Sequence, residues 1–382
     1  MNTYYFDNGA TTKVKDEVLK EMLPYFSNQY GNPSAVYALA RESKRAIEDA
    51  RQKVADLIGA KKHEIYFTSS GTEADNMALK GVAYKNKNKG NHIITSKIEH
   101  PAILDTCSFL ETQGFKITYL NVDNQGFIDI SELKNAITED TILISIMFAN
   151  NEIGTIEPIE DIAKIAKEKN IIFHTDSVQA VGNTKIDVKQ MGIDMLSLSS
   201  HKIYGPKGVG ALYVKENIQF EKFINGGHQE KNKRAGTENV AGIVGLGKAA
   251  ELAKENLDSH IEKLKTLRNY YIEQIMQKIP YAKINGPINA RLPGNINISF
   301  DGINANDLLL ELDNVGICAS SGSACTSKNP NPSHVLTAIG LPNARIKSAL
   351  RITFGDFNTM QEVDYLVENI QRTINSHWGT VL

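Results

Sequence analysis

The chain has 382 residues, 41% hydrophobic and 23% charged, with a formal net charge of −2 at pH 7. That balance describes a soluble globular protein of about two or three domain-sized units, without the basic excess that binds nucleic acid. No uninterrupted apolar run is long enough to cross a bilayer, and Met1-Asn-Thr-Tyr-Tyr-Phe-Asp7 lacks the order of an export signal, so no membrane partner and a cytoplasmic location are expected. Three cysteines, Cys107, Cys318 and Cys325, cannot all pair and lack the paired spacing of a zinc site. No resident metal is expected, and a cysteine with a special role is reactive rather than structural.

In chain order, a short strand-like start runs into the turn Asp7-Asn-Gly9. Asn32-Pro-Ser34 offers a helix entry, and Val36, Leu39, Ile47, Val54 and Leu57 form an apolar stripe that carries the helix to Ile58. Short apolar runs then alternate with helical stretches, at 64–67, 92–95, 116–120, 141–147, 171–174 and 195–199. This rhythm predicts an α/β fold whose large domain is a mainly parallel sheet flanked by helices on both faces. A long polar-faced helix is expected over 240–278, strand-like segments around 294–300 and 347–354, and a closing helix from Met360 to Ile374. The expected division gives 15–257 to a large cofactor-binding domain and 1–14 with 258–382 to a smaller α+β domain. The stretch about 320–332, ending in Ser327-Lys-Asn-Pro-Asn-Pro332, reads as a mobile loop.

Ligands gather at the carboxyl ends of strands in an α/β sheet, and four of these ends carry chemistry. Thr68-Ser-Ser-Gly-Thr72 opens a helix, so Gly71 and Thr72 offer backbone N–H groups and a hydroxyl to a phosphate, although a capped helix start reads the same way. Asp176, just past 171–174, is placed to hold a ring nitrogen protonated, with Gln179 in the next turn. Asn150 and Asn151 close a third run, either able to bond a phenolic oxygen or to make an ordinary turn; Asn151 is preferred. His100 before Pro101 can stack on an aromatic ring and shuttle protons, or simply enter a helix. Finally, Ser199-Ser-His-Lys202 ends its run in hydroxyls, the His201 imidazole and an amine, followed by Gly205-Pro-Lys-Gly208. That turn does not fit a nucleotide P-loop, because Gly-Lys is not followed by Ser or Thr. Phosphate cradle, ring-nitrogen carboxylate, strand-end lysine and stacking histidine together describe a pyridoxal 5′-phosphate site.

With those residues assembled, the chain resembles the NifS/IscS-type cysteine desulfurases, a branch of the fold type I, class V aminotransferase-like pyridoxal-phosphate enzymes. The likeness runs through Asp7-Asn-Gly-Ala-Thr-Thr12, Gly31-Asn-Pro-Ser34, Thr68 to Asn76, Glu99-His100, Asn150 to Gly154, His174 to Gln179, Ser199 to Gly208, Arg234-Ala-Gly-Thr237 and Ser320 to Ser327. The resemblance implies that Lys202 holds the cofactor, Asp176 meets its ring nitrogen, Asn151 its phenolic oxygen, and His100 its ring face. Gly71, Thr72, Gln179, Ser199 and His201 surround it, chiefly at the phosphate, and Thr237 of a second subunit completes that cradle in an obligate homodimer. Arg351, in Leu350-Arg-Ile-Thr-Phe-Gly355, grips the substrate carboxylate together with Asn151, and Cys325 is the nucleophile. Cys318 and Cys107 read as small core residues.

The activity so implied removes sulfur from L-cysteine, releasing L-alanine and leaving a persulfide on Cys325. Lys202 and His100 move the protons. The acceptor implied is an iron–sulfur scaffold or a tRNA thiolation protein. Cys325 is at most in transient contact with a cluster on such a scaffold. A selenocysteine lyase or another aminotransferase-like enzyme would keep Lys202 and Asp176 without depending on Cys325. A sulfur-carrier or scaffold protein that kept the fold without catalysis is a further alternative.

Overall fold

The computed structural model describes residues 2–322 and 332–379, so Cys325 lies outside the described residues. After the two-residue strand β1 (Tyr4–Tyr5), seven strands build the large sheet. They are β2 (Ile65–Thr68), β3 (His92–Ser96), β4 (Lys116–Leu120), β5 (Thr141–Ser145), β6 (Ile172–Asp176), β7 (Met195–Ser199) and β8 (Gly210–Val214). Their order is β2-β8-β7-β6-β5-β3-β4. Neighbours from β7 to β4 pair in parallel, whereas β8 runs antiparallel to both β7 and β2. The exception follows from the connection. The chain turns back directly from β7 through Gly205 to Gly208, with Gly208 at φ 79°, and a link so short returns a strand antiparallel. Sequence periodicity had suggested the other six strands but not β8.

Every residue of β3, β5, β7 and β8 is buried, as expected of strands covered on both faces. The helices Ala38–Ile58 and Ile159–Glu168 and the amino half of Val240–Lys278 cover one face; Gly71–Asn86 and Pro101–Thr112 cover the other. The first long helix begins at Ala38, later than the apolar stripe suggested. Val36 precedes it and is 87% exposed, while Ile47, Val54 and Leu57 are buried as expected. Gly59 ends the helix in the left-handed conformation that favours glycine, at φ 72°.

A second core gathers around an antiparallel sheet of β9 (Lys283–Asn285), β10 (Asn295–Ser299) and β12 (Ala349–Thr353), in the order β12-β10-β9. Leu264, Leu267, Tyr271 and Ile275, on the carboxyl half of Val240–Lys278, enter this core together with Met360–Gly379. One continuous helix therefore feeds both cores, and position 257 falls inside it. The amino-terminal segment ties into the second core as well. β1 pairs in parallel with β11 (Ile317–Cys318), Phe6 is fully buried there, and Thr353 N–H donates to the Phe6 carbonyl at 2.7 Å. Cys107 is buried on Pro101–Thr112, but Cys318 is half-buried, not a core residue, because among the described residues its strand pairs with β1 alone.

Candidate active site

The carboxyl ends of the parallel strands converge on one cavity of about 170 Å³, walled by His100, Asn151, Asp176, Gln179, Ser199, His201, Lys202 and Arg351 with Gly71 and Thr72. Each is placed by local structure that the sequence dictates. β7 ends at Ser199 and winds into the short turn Ser200–Lys202, which swings the lysine back over the sheet edge. There the Lys202 ammonium donates to the carbonyls of Gly9 and Ala10, the latter at 2.8 Å. The Gln179 amide donates to the same Gly9 carbonyl at 2.9 Å. The amino-terminal segment is thus a wall of the cavity.

Ser70 caps Gly71–Asn86, accepting the Glu73 N–H at 3.1 Å, so the first-turn N–H groups of a sixteen-residue helix face an anion position. A Cβ on Gly71 would lie 2.5 Å from the Val178 side chain, which makes glycine a steric requirement there. Ser199 Oγ is buried without a hydrogen-bond partner among the described residues, on the cavity wall. A buried hydroxyl beside the first turn of a helix offers donors to an acceptor-rich group such as a phosphate. His201, whose Nδ1 lies 3.1 Å from Thr11 Oγ1, is pushed down to about 4 by burial and by Lys202 and Lys207. It is a neutral imidazole at pH 7.

Asp176 is 6% exposed, and burial raises its carboxyl above the ordinary range while His100, the Val178 N–H at 2.9 Å and Lys202 pull it back. His100 caps Pro101–Thr112 by accepting the Ala102 N–H at Nδ1, 3.1 Å away. That bond assigns the imidazole proton to Nε2 and opposes protonation, in line with the lowering that burial imposes. Of the two amides, Asn150 is fully buried: it donates to the Ile98 carbonyl at 2.9 Å and accepts from the N–H groups of Glu152 and Ile153. Asn151 is the one that faces the cavity.

Arg351 reaches the same cavity from β12, 1% exposed, with Nη2 donating to Asp7 at 2.7 Å and Nη1 to the Asn151 carbonyl at 3.2 Å. Thr237 does not share this cavity. It lines a separate one beyond Thr68 and Ser69, with Arg234 and Glu230. Sequence reasoning missed Asp7, read there as a turn residue, and Asp75, a buried carboxylate on the cavity wall whose Oδ1 lies 3.7 Å from His174 Nε2. A charged residue spaced to face inward from a helix start was the available signal for Asp75.

Residues 4–366 match the aminotransferase class-V family. A cysteine desulfurase IscS of Clostridium botulinum is 56% identical over 372 residues, 97% of this chain and 94% of that protein. A cysteine desulfurase IscS of Methanosarcina thermophila is 53% identical over 370 residues, 97% of this chain and 91% of its own length. Among solved structures, a NifS-like protein superposes with a TM-score of 0.92 at 38% identity, covering 98% of this chain and all of that one. SspA in complex with cysteine superposes with a TM-score of 0.84 at 40% identity, over 94% of this chain and all of that one.

Proposed function

The chain belongs to the aminotransferase class-V family, and on that premise we propose that it is a cysteine desulfurase which takes sulfur from L-cysteine, releases L-alanine and leaves a persulfide on Cys325. The observation that carries the reading is the meeting of Lys202, Asp176 and Arg351 in one cavity, the first two from the ends of adjacent strands of the large sheet and Arg351 from β12 of the second core. The wall fits pyridoxal 5′-phosphate. The orphaned Ser199 hydroxyl and the Gly71 helix start suit its phosphate, and buried Asp176 suits a protonated ring nitrogen. His100 would stack on the ring, Asn151 would bond the phenolic oxygen, and Thr72, Gln179 and His201 would complete the phosphate cradle around Lys202. When bound, the group supplies an electron sink for charge developing at the substrate Cα.

The chain's own residues do the rest. Arg351 and Asn151 hold the substrate carboxylate, which fixes the Cα hydrogen toward Lys202. Lys202, as the amine, takes that proton. The Cys325 thiolate attacks the substrate sulfur: an S–S bond forms, the C–S bond breaks, and its electron pair stays on the carbon side. Lys202 and neutral His100, with its proton on Nε2, return protons to carbon, so L-cysteine and a thiol become L-alanine and a persulfide.

Thr237 supports a homodimer in this reading, since it lines a different cavity from Lys202 within its own subunit and would serve the partner's phosphate site. A second copy would also cover the exposed apolar run Leu19, Leu23, Phe26, Tyr30 and Tyr37. The persulfide would pass to an iron–sulfur scaffold or a tRNA thiolation protein. Intact-mass and peptide mass spectrometry after exposure to L-cysteine tests the reading. One added sulfur on Cys325 with stoichiometric alanine is expected, and alanine release undiminished in Cys325→Ala overturns it.

A further inference from the structure

The Arg351 guanidinium is already engaged by a carboxylate of the same chain. Asp7 Oδ1 accepts from Nη2 at 2.7 Å, while Asp7 Oδ2 accepts from Ser320 Oγ at 2.8 Å. Ser320 is itself paired with Arg351 through the backbone: Arg351 N–H donates to the Ser320 carbonyl at 2.6 Å, and Ser320 N–H returns a bond at 3.3 Å. Asp7 also bridges to the neighbouring β12 residue, Thr353. One carboxylate therefore fixes both the head of the arginine and the strand partner of its backbone.

The donor count gives this arrangement a consequence. Each terminal guanidinium nitrogen carries two N–H groups. Asp7 occupies one on Nη2 and the Asn151 carbonyl one on Nη1, so among the described residues one N–H remains on each, and the buried Nε–H is without a partner; these are the donors left for a two-pronged contact with a carboxylate. The charge count adds a second consequence. Arg351 is 1% exposed, and its ion pair with Asp7 is neutral overall before any substrate arrives. A point anion gains little net Coulomb attraction at a neutralised pair, whereas a carboxylate still gains two directed hydrogen bonds.

We infer that Asp7 is a positioning and specificity residue of the desulfurase: it aims the free edge of Arg351 and offsets its charge, so that the site takes an amino-acid carboxylate and rejects simple anions. This rests on Arg351 binding the substrate carboxylate. In Asp7→Asn the amide keeps the shape but the guanidinium becomes an uncompensated buried cation. Small anions then bind it, and the substrate carboxylate is held without direction.

The experiment measures L-cysteine turnover by the holoenzyme at constant ionic strength, with sodium chloride as the probe, because chloride is a point anion and not a carboxylate. It compares the parent, Asp7→Asn, Asp7→Glu and Arg351→Gln, each checked for an unaltered melting transition. In Asp7→Asn, kcat is expected to fall at least tenfold, KM to stay unchanged or drop, and the competitive inhibition constant of chloride to drop at least fivefold. Asp7→Glu, which restores the charge, is expected to restore the parent's chloride resistance. A chloride constant within twofold of the parent in well-folded Asp7→Asn, or a KM raised more than threefold with kcat intact, overturns the inference. Arg351→Gln separates the two layers. If it leaves KM unchanged, the carboxylate-binding role of Arg351 fails; if it raises KM while Asp7→Asn behaves as the parent, the role of Asp7 fails alone.

Discussion

The molecule holds two constellations of aspartate, histidine and lysine, and they behave in opposite ways. Asp176 lies beside His100 and Lys202 in the cavity, and Asp356 lies beside His260 and Lys15 where the two cores meet. Burial raises both carboxyls, yet Asp356 ends depressed to about 2, because His260 Nδ1 and Lys15 Nζ each contact it directly at 2.5 Å. Among the described residues Asp176 accepts one hydrogen bond, from the Val178 N–H, and remains raised; His100 and Lys202 act on it through space. A carboxylate contacted directly on both oxygens, as Asp356 is, is a fastener. A buried one with fewer direct contacts, as Asp176 is, keeps acceptor capacity that a bound group can use.

The surroundings repeat the contrast. Around Asp356 the donors are complete: its N–H donates to the Tyr204 hydroxyl at 2.7 Å, and His260 Nε2 lies 3.1 Å from Asn183 Oδ1. On the wall around Asp176, Ser199 Oγ is buried without a hydrogen-bond partner among the described residues. A hydroxyl left so on a cavity wall has bonding capacity that a bound group can use.

Lys202→Ala breaks the cavity constellation most deeply, and steady-state alanine release should fall by about 10³-fold or more with the melting temperature little changed. Asp176→Asn keeps the shape but removes the anion; turnover should fall about 10²–10³-fold, and the absorption band of the reconstituted cofactor should move, which a purely structural aspartate would not cause. Thr237→Ala should loosen cofactor binding about fivefold, the worth of one hydrogen bond of about 1 kcal/mol, read by titrating apoprotein with pyridoxal 5′-phosphate. Mixing it with Lys202→Ala subunits tests whether Thr237 serves the partner's site.

Asp356→Asn should act on stability and hardly on turnover. A folded pKa of about 2 against an unfolded value of about 3.9 corresponds to about 2.6 kcal/mol at pH 7, reduced to nearer 1–2 by solvent screening at a carboxylate 22% exposed. Because the folded value is depressed, this contribution is complete above about pH 4 and disappears as pH falls through about 2. Urea midpoints of parent and variant should therefore differ at pH 7 and converge toward pH 2; a constant difference would contradict the assignment.

Much of the cavity could be read from the sequence because strand ends announce themselves: an apolar run stops, and Asp176, His100 or Lys202 stands at or just past the stop. The elements of the sheet were legible for the same reason, except β8, whose apolar run sits so close behind β7 that it reads as the tail of a glycine turn. Asp7 was not legible. Its partner Arg351 is 344 positions away, and a residue in Asp-Asn-Gly looks like turn chemistry until the fold lays β12 beside it. Likewise the choice between Asn150 and Asn151 depended on which amide the turn uses up, a matter of backbone geometry and not of residue type.

Asp7 is made 344 residues before its partner Arg351, so the segment around it waits for its moorings. Its Gly9 and Ala10 carbonyls receive the Lys202 ammonium, but the segment is itself moored by Ile317, Cys318, Arg351 and Thr353. At about 5–20 residues per second, synthesis leaves that strip unpaired for on the order of 20–70 seconds while the large sheet is already able to form. In a chain still being made, the turn that carries Lys202 is therefore complete before the wall that confines it can be moored, and the cavity closes only once β12 is available.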